Sequence, residues 1–133
     1  MKILDSTIII ELLRGNKHAM EKISELEAKH ESLATTQINV FEIIQGIYAR
    51  NQKTDDELAA LEVLLSKLKT LDLTYFSAYH AGKLSGELKR KGLTASAGDL
   101  LIAGIAMANK IDTIVTANEK DFSKIPGIKV ETY

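Results

Sequence analysis

The chain has no cysteine, no tryptophan, a single proline and few aromatic residues, four Tyr and three Phe. The lack of cysteine excludes a disulfide framework and a thiolate metal site. It suits a reducing compartment, so a cytoplasmic location is expected. The one proline is Pro126, and there is no low-complexity linker, repeat or long charge run to mark a domain boundary. No charge of one sign dominates: 17 Lys and Arg face 18 Asp and Glu. The strongly basic balance that signals tight non-specific nucleic-acid binding is therefore missing, although a local basic patch remains open. Long apolar runs are missing too. The longest weakly charged stretch, Gly92 to Asn109, contains Asp99, Ser96 and three glycines, so no membrane span is expected. The start, Met1-Lys2-Ile3-Leu4-Asp5, meets a charge within five residues and lacks the apolar core of a signal peptide.

What is present is an ordinary globular composition. The 133 residues are 45% hydrophobic and 26% charged. That length fits a single domain, residues 1–133, able to bury roughly two-thirds of its unfolded surface without staples. Short strands alternate with helices. Strands are expected at Ile3-Leu4, Ser32–Thr35, Leu71–Leu73, Thr113–Thr116 and Ile128–Glu131. Helices are expected at Ile8–Leu13, His18–Lys29, Gln37–Arg50, Asp55–Lys69, Tyr75–Lys91 and Ser96–Lys110, with Gly15 and Gly92 as stop signals. Such alternation predicts an α/β fold with a mainly parallel sheet of four or five strands, covered by helices. In such sheets, sites form at the carboxyl ends of the strands.

Three carboxylates stand out of place. Asp5 is the only charge between Lys2 and Glu11, and it follows an apolar strand. It reads equally as a helix N-cap or as a functional acid at a strand end. Asp99 is the only charge from Gly92 to Asn109. Ser96-Ala97-Gly98-Asp99 resembles a capping box, yet the helix that follows is apolar on nearly every side. An acid in the first turn of a buried helix is costly unless something compensates it, and a metal ion would. Glu42 falls opposite the large apolar residues of its helix, beside Asn39, Gln45, Gly46 and Ala49. That face reads as solvated, or, from its small residues, as one that something approaches closely. Thr116-Ala117-Asn118-Glu119-Lys120-Asp121 forms a polar cluster after the fourth strand, near the same sheet edge as Asp5.

This layout resembles a PIN domain, and within that family a VapC-type toxin of a toxin–antitoxin pair. The resemblance covers essentially the whole chain. It rests on Ile3-Leu4-Asp5-Ser6-Thr7, on Thr36-Gln37-Ile38-Asn39-Val40-Phe41-Glu42, on Ser96-Ala97-Gly98-Asp99-Leu100 as the closest match, and on Ile114-Val115-Thr116-Ala117-Asn118 followed by Asp121-Phe122. It implies a three-layer α/β/α sandwich and metal-dependent cleavage of RNA. Asp5, Glu42 and Asp99 would be the catalytic and metal-ligating residues, for Mg²⁺ or Mn²⁺. Ser6, Thr116, Asn118 and Asp121 would support them. Asn118 stands where many family members have Asp, so the number of ions is open, and a PIN-like module that binds RNA or a partner without cutting is the alternative. The resemblance also implies a cognate antitoxin and a homodimer. Apolar residues of Ile8–Leu13 and Ile43–Ile47 would form the antitoxin groove.

Other chemistries fit less well. A dehalogenase-like phosphotransferase needs an acid two residues after Asp5, where this chain has Thr7, and a receiver domain needs an early acidic pair. His18, His30 and His80 sit in no motif and are expected at the surface, not as an acid–base pair. Arg50, Lys53, Lys83 and Lys89-Arg90-Lys91 are candidates for RNA phosphates.

Overall fold

The structure is a computed structural model that describes residues 1–50 and 52–133. Among the described residues the chain runs β1 (Lys2–Leu4), α1 (Ser6–Leu13), α2 (Lys17–Ala28), β2 (Leu33–Thr36), α3 (Gln37–Arg50), α4 (Thr54–Leu65), β3 (Lys69–Leu71), α5 (Tyr75–Arg90), α6 (Ala97–Ala108), β4 (Thr113–Val115), α7 (Glu119–Phe122) and β5 (Lys129–Glu131). The five strands form one sheet in the order β3-β2-β1-β4-β5. Every pairing is parallel.

Strand β1 lies at the centre, and its alternation builds the two sides of the sheet. Ile3 packs into a core with Leu84, Leu88, Ile102, Ile105 and Ile114, under α5 and α6. Leu4 packs into the other core with Ile8, Ile9, Ile43, Ile47 and Val115, under α1 to α4. Successive strand side chains point to opposite faces, so a three-residue strand serves both layers. The result is the expected three-layer α/β/α sandwich.

The strand order places the site. The chain builds outward from β1 through β2 to β3, then returns and builds the other way through β4 to β5. Ile3 pairs with Ala34 on one side and with Ile114 on the other, so β1, β2 and β4 end at one edge. The crevice between β1 and β4 is the switch point where open parallel sheets bind ligands.

Several boundaries differ from expectation. Helix α4 stops at Leu65, and the third strand is Lys69–Leu71, not Leu71–Leu73. Lys67 and Leu68 turn through short N–H bonds to Leu64 O and Leu65 O, which ends the helix early. Register then pairs Leu71 with Thr36, and the chain leaves the sheet where Thr74 and Ser77 form a capping box for α5. Helix α1 starts two residues earlier than expected, at Ser6, and the one-turn α7 was not foreseen. Gly15 and Gly92 do take positive φ, +73° and +71°, just beyond α1 and α5. No helix among the described residues is long and apolar enough to cross a membrane.

Candidate active site

Asp5 is the residue directly after β1, and it is 3% exposed. It occupies the N-cap position of α1, but its side chain makes no capping bond. Its carboxylate turns instead to the switch-point crevice. Asn39 Nδ2 donates to Oδ1 at 2.9 Å, and Thr116 Oγ1 donates to Oδ2 at 2.7 Å. Thr116 lies one residue past β4, so the two strands that flank the crevice each supply one partner of this contact.

Glu42 reaches the same place from α3. Ser6 Oγ donates to Glu42 Oε1 at 2.7 Å and accepts from Asn39 Nδ2 at 3.0 Å. Asn39 thus bridges Asp5 and Ser6, and Ser6 passes the connection to Glu42. Helix α6 closes the group from above the sheet edge. A side chain at Gly98 would stand 3.3 Å from Glu42 Oε2, so α6 presents bare backbone to Glu42 one residue before Asp99. The α6 cap belongs to Ser96, whose Oγ accepts from the Asp99 N–H at 3.1 Å.

The electrostatics bind the three acids together. Burial pushes the Asp5 carboxyl up from its ordinary range, against the pull of the Thr116, Asn39 and Thr7 hydrogen bonds. Burial raises Glu42 as well, the Ser6 bond opposes it, and the charges of Asp5 and Asp99 add to the rise. Asp99 is raised by burial and by the charges of Asp5 and Asp121, with Lys124 and Ser96 acting the other way. No ion pair among the described residues includes Asp5, Glu42 or Asp99. Neutral donors, Asn39 and Ser6, thus stand between Asp5 and Glu42, and no cation among the described residues is bonded to any of the three acids. Nor do three His, Asp or Glu side chains among the described residues stand within reach of one ion; Glu42 is turned onto Ser6. The donor set itself is all oxygen and anionic, which is the chemistry of a hard divalent cation that keeps several of its waters.

Of the supporting residues, Ser6 and Thr116 lie inside this network. Asn118 is exposed and forms no side-chain cap on α7; its N–H donates to Thr116 Oγ1 at 2.9 Å, and its carbonyl accepts from the Asp121 and Phe122 N–H groups. Asp121 is exposed, yet its charge acts on Asp99. Two contributors escaped the sequence reading. Asn39 is fully buried, with Thr36 Oγ1 donating to its Oδ1 at 2.8 Å, so it is no part of a solvated face. Thr7 Oγ1 lies 3.3 Å from Thr116 Oγ1 and 3.4 Å from Asp5 Oδ2, and it accepts the Ala117 N–H at 3.1 Å. Their spacing held a usable signal: Asn39 is one helical turn before Glu42, and Thr7 is one residue beyond Ser6. The small residues Gly46 and Ala49, by contrast, mark no close approach. The nearest atom to a Cβ on Gly46 is in the Arg50 side chain of the same helix, 3.8 Å away.

The expected apolar groove takes a different form. Ile8 and Ile9 are fully buried, and Ile43 and Ile47 are each 2% exposed, so they belong chiefly to the core. Ile10, Leu13, Ile43 and Ile47 nevertheless line a cleft of about 470 Å³ between α1, α3 and α4, together with Arg14 and Arg50. Arg50 pairs with Glu57 at 3.0 Å, while Lys83, Lys89 and Arg90 are exposed along α5. His18 and His30 are exposed, and His80 packs edge-on against Tyr79.

Comparison with known proteins follows the same lines. Residues 2–128 match the family model described as PIN domain. The chain therefore belongs to the PIN-domain family. Its similar relatives carry the VapC name. It is 32% identical to Ribonuclease VapC2 of Rickettsia felis, over 98% of this chain and 96% of that protein. It is 29% identical to the tRNA(fMet)-specific endonuclease VapC of Salmonella typhimurium, over 96% of this chain and 93% of that one. Among solved structures, VapBC2 from Rickettsia felis, bound to a DNA fragment from their promoter, superposes with a TM-score of 0.87 at 28% identity, covering 99% of this chain and 98% of that one. DNA-bound VapBC from Salmonella typhimurium gives 0.85 at 29% identity, covering 98% and 96%.

Proposed function

We propose that this chain is a VapC-type ribonuclease that hydrolyses RNA phosphodiester bonds with Mg²⁺ or Mn²⁺ held by Asp5, Glu42 and Asp99. The observation that carries the reading is Asp5. A 3%-exposed carboxylate at the switch point of a parallel sheet, whose charge raises the two further acids beside it, is expensive to fold unless a cation is to be held. The activities of the relatives, a ribonuclease and a tRNA endonuclease, support RNA as the substrate class. The bound ion would neutralise the phosphate and lower the pKa of an attacking water. This chain's residues orient it. Thr116 and Asn39 hold the Asp5 oxygens in place, and Ser6 holds Glu42, which with Asp99 would complete the ligand set.

The partner follows from the solved relatives, which are complexes of VapC with VapB. We take a cognate antitoxin segment to occupy the cleft lined by Ile10, Leu13, Ile43 and Ile47, and the free chain to be a homodimer. The test is cleavage of single-stranded RNA and of initiator tRNA by the purified chain across a Mn²⁺ titration. Cleavage that rises with Mn²⁺, stops in EDTA and is abolished by Asp5→Asn or Asp99→Asn is expected. Equal cleavage in EDTA, or near-normal cleavage by either variant, would overturn the assignment. Co-expression with the neighbouring small gene product should yield a stable complex that no longer cuts RNA. Sedimentation of the free chain at the mass of a monomer would contradict the dimer.

A further inference from the structure

A second cleft, of about 510 Å³, opens on the other side of α1. Thr7, Ile10, Arg14, His18, Ala117 and Tyr133 line it, with Glu11 and Asn16. It is continuous with the acid cluster through Thr7, whose hydroxyl lies against Asp5, Thr116 and the Ala117 N–H. A polymer held at the acids therefore has this cleft as a neighbouring compartment. It shares Ile10 and Arg14 with the first cleft and adds Thr7, His18, Ala117 and Tyr133. Tyr133 supplies an aromatic ring, partly buried because it rests on the core cluster that contains Leu4, Ile8 and Val115. Burial raises the Tyr133 phenol, and Thr7 lines the same cleft beside the acids. Ile10 adds an apolar wall. Arg14 and His18 add cationic or hydrogen-bonding groups, and among the described residues the only ion pair of Arg14 is an exposed one with Glu11 at 3.5 Å, weak enough for a phosphate to displace.

We infer that this cleft is a nucleotide subsite in which one base of single-stranded RNA stacks on Tyr133 while its flanking phosphate meets Arg14, beside the scissile bond at the acids. The inference rests on the ribonuclease reading above and adds to it a positioning residue and the character of the bound RNA: unpaired at the nucleotide next to the cut. Base–aromatic stacking tolerates every base, because each has a π-face, so the subsite contributes affinity and register and does not read sequence. Duplex RNA keeps its bases stacked on one another and cannot offer one to the ring.

The test uses the full chain and its variants Tyr133→Phe, Tyr133→Leu and Tyr133→Ala. Binding of a fluorescein-labelled ten-nucleotide RNA of mixed sequence is read by anisotropy, with Ca²⁺ as the hard ion, and cleavage is timed in Mn²⁺. The phenylalanine variant should bind within roughly twofold of the parent. The leucine and alanine variants should bind roughly tenfold more weakly, the loss of about one stacked base. KM should rise by the same factor while kcat holds, because stacking is equal in ground and transition states. Leucine fills the space under α1, so its melting temperature should stay near the parent's and separate lost stacking from lost packing. Parent-like RNA affinity in the leucine variant, an unchanged KM with a reduced kcat, or weakened antitoxin binding with intact RNA binding would overturn the subsite. A parent that binds the RNA but never cuts it overturns the nuclease reading and leaves the affinities to decide the subsite. A parent that binds no RNA overturns both.

Discussion

Replacing Asp99 by Asn removes one charge and almost nothing else. The cap of α6 is unaffected, because Ser96 Oγ accepts the residue-99 N–H whatever the side chain. In the metal-free parent, Asp99 is raised first by burial, then by Asp5 and Asp121, with Lys124 as the opposing charge. Two repulsions against one attraction leave about one uncompensated repulsion, worth ~1 kcal/mol for carboxylates that still touch water. Burial adds a cost of the same order, and the favourable dipole of the α6 N-terminus returns ~0.5 kcal/mol. The net expectation is that the variant is more stable by ~1 kcal/mol in EDTA at pH 7, a rise of about 3 °C in Tm for a chain of this size. The pH dependence has a definite sign. A carboxyl whose folded-state pKa is raised takes up a proton more readily in the folded chain than in the unfolded one. Its penalty is complete above the folded value and disappears as pH falls toward the unfolded value near 4. The advantage of the variant should shrink accordingly from pH 7 to pH 4. Millimolar Mn²⁺ reverses the order. A parent at a hundred times its Kd gains ~2.7 kcal/mol, about 8 °C, and the variant should gain less than half of that. The assay is thermal melting of both proteins in EDTA and in Mn²⁺, and the expected result is a crossover. Parallel curves with equal metal shifts would refute the reasoning and make Asp99 a structural residue.

Glu42→Gln keeps the acceptor for Ser6 Oγ and removes a charge that burial, Asp5 and Asp99 oppose, so its metal-free Tm should rise about as much as that of Asp99→Asn, while calorimetry should show Mn²⁺ affinity down by roughly tenfold or more. Unchanged affinity would return Glu42 to the scaffold. Asn39→Ala deletes the donors to Asp5 and Ser6 and the acceptor of the Thr36 hydroxyl proton, a buried loss of ~2–3 kcal/mol that urea unfolding should register; a loss below ~0.5 kcal/mol would mean that water replaces the amide. Gly104→Ala places a methyl group into Ser77 O and 2.9 Å from Ala81 Cβ, forcing α5 and α6 apart. We expect ~2 kcal/mol or more of destabilisation, and a neutral variant would show that the helices separate freely.

The parallel sheet is legible in the sequence because Ile3-Leu4, Leu33-Ala34 and Ile114-Val115 are short apolar runs parted by helical periods. The acids are legible for the same reason: Asp5 and Asp99 are lone charges where apolar residues surround them. Neither residue announces a site alone; the charges do so only together with the motifs around them. Neutral polar residues carry no such contrast. Asn39 looks solvated on a helical projection, and its burial depends on α3 beginning at Gln37 directly after Thr36, with no loop to move it out of the crevice. The third strand is misplaced because Leu71-Asp72-Leu73 alternates as a strand would, while the cue that ends it, Thr74 capping α5 through Ser77, is a hydrogen-bond pattern. Helix α7 has four residues, too few for any periodicity to register. Gly46 and Gly98 are equally bare in sequence, yet only Gly98 meets another element, because close approach is a tertiary fact.

The central claim is that Asp5, Glu42 and Asp99 meet at one ion. Crystals grown with MnCl₂, measured at the manganese absorption edge, test it directly. The account predicts an anomalous peak bonded to carboxylate oxygens of Asp5 and Asp99, with Glu42 turned from Ser6 toward the ion or its waters, and no such peak in Asp5→Asn crystals. A protein that cleaves RNA in Mn²⁺ while its manganese lies elsewhere on the surface would contradict it.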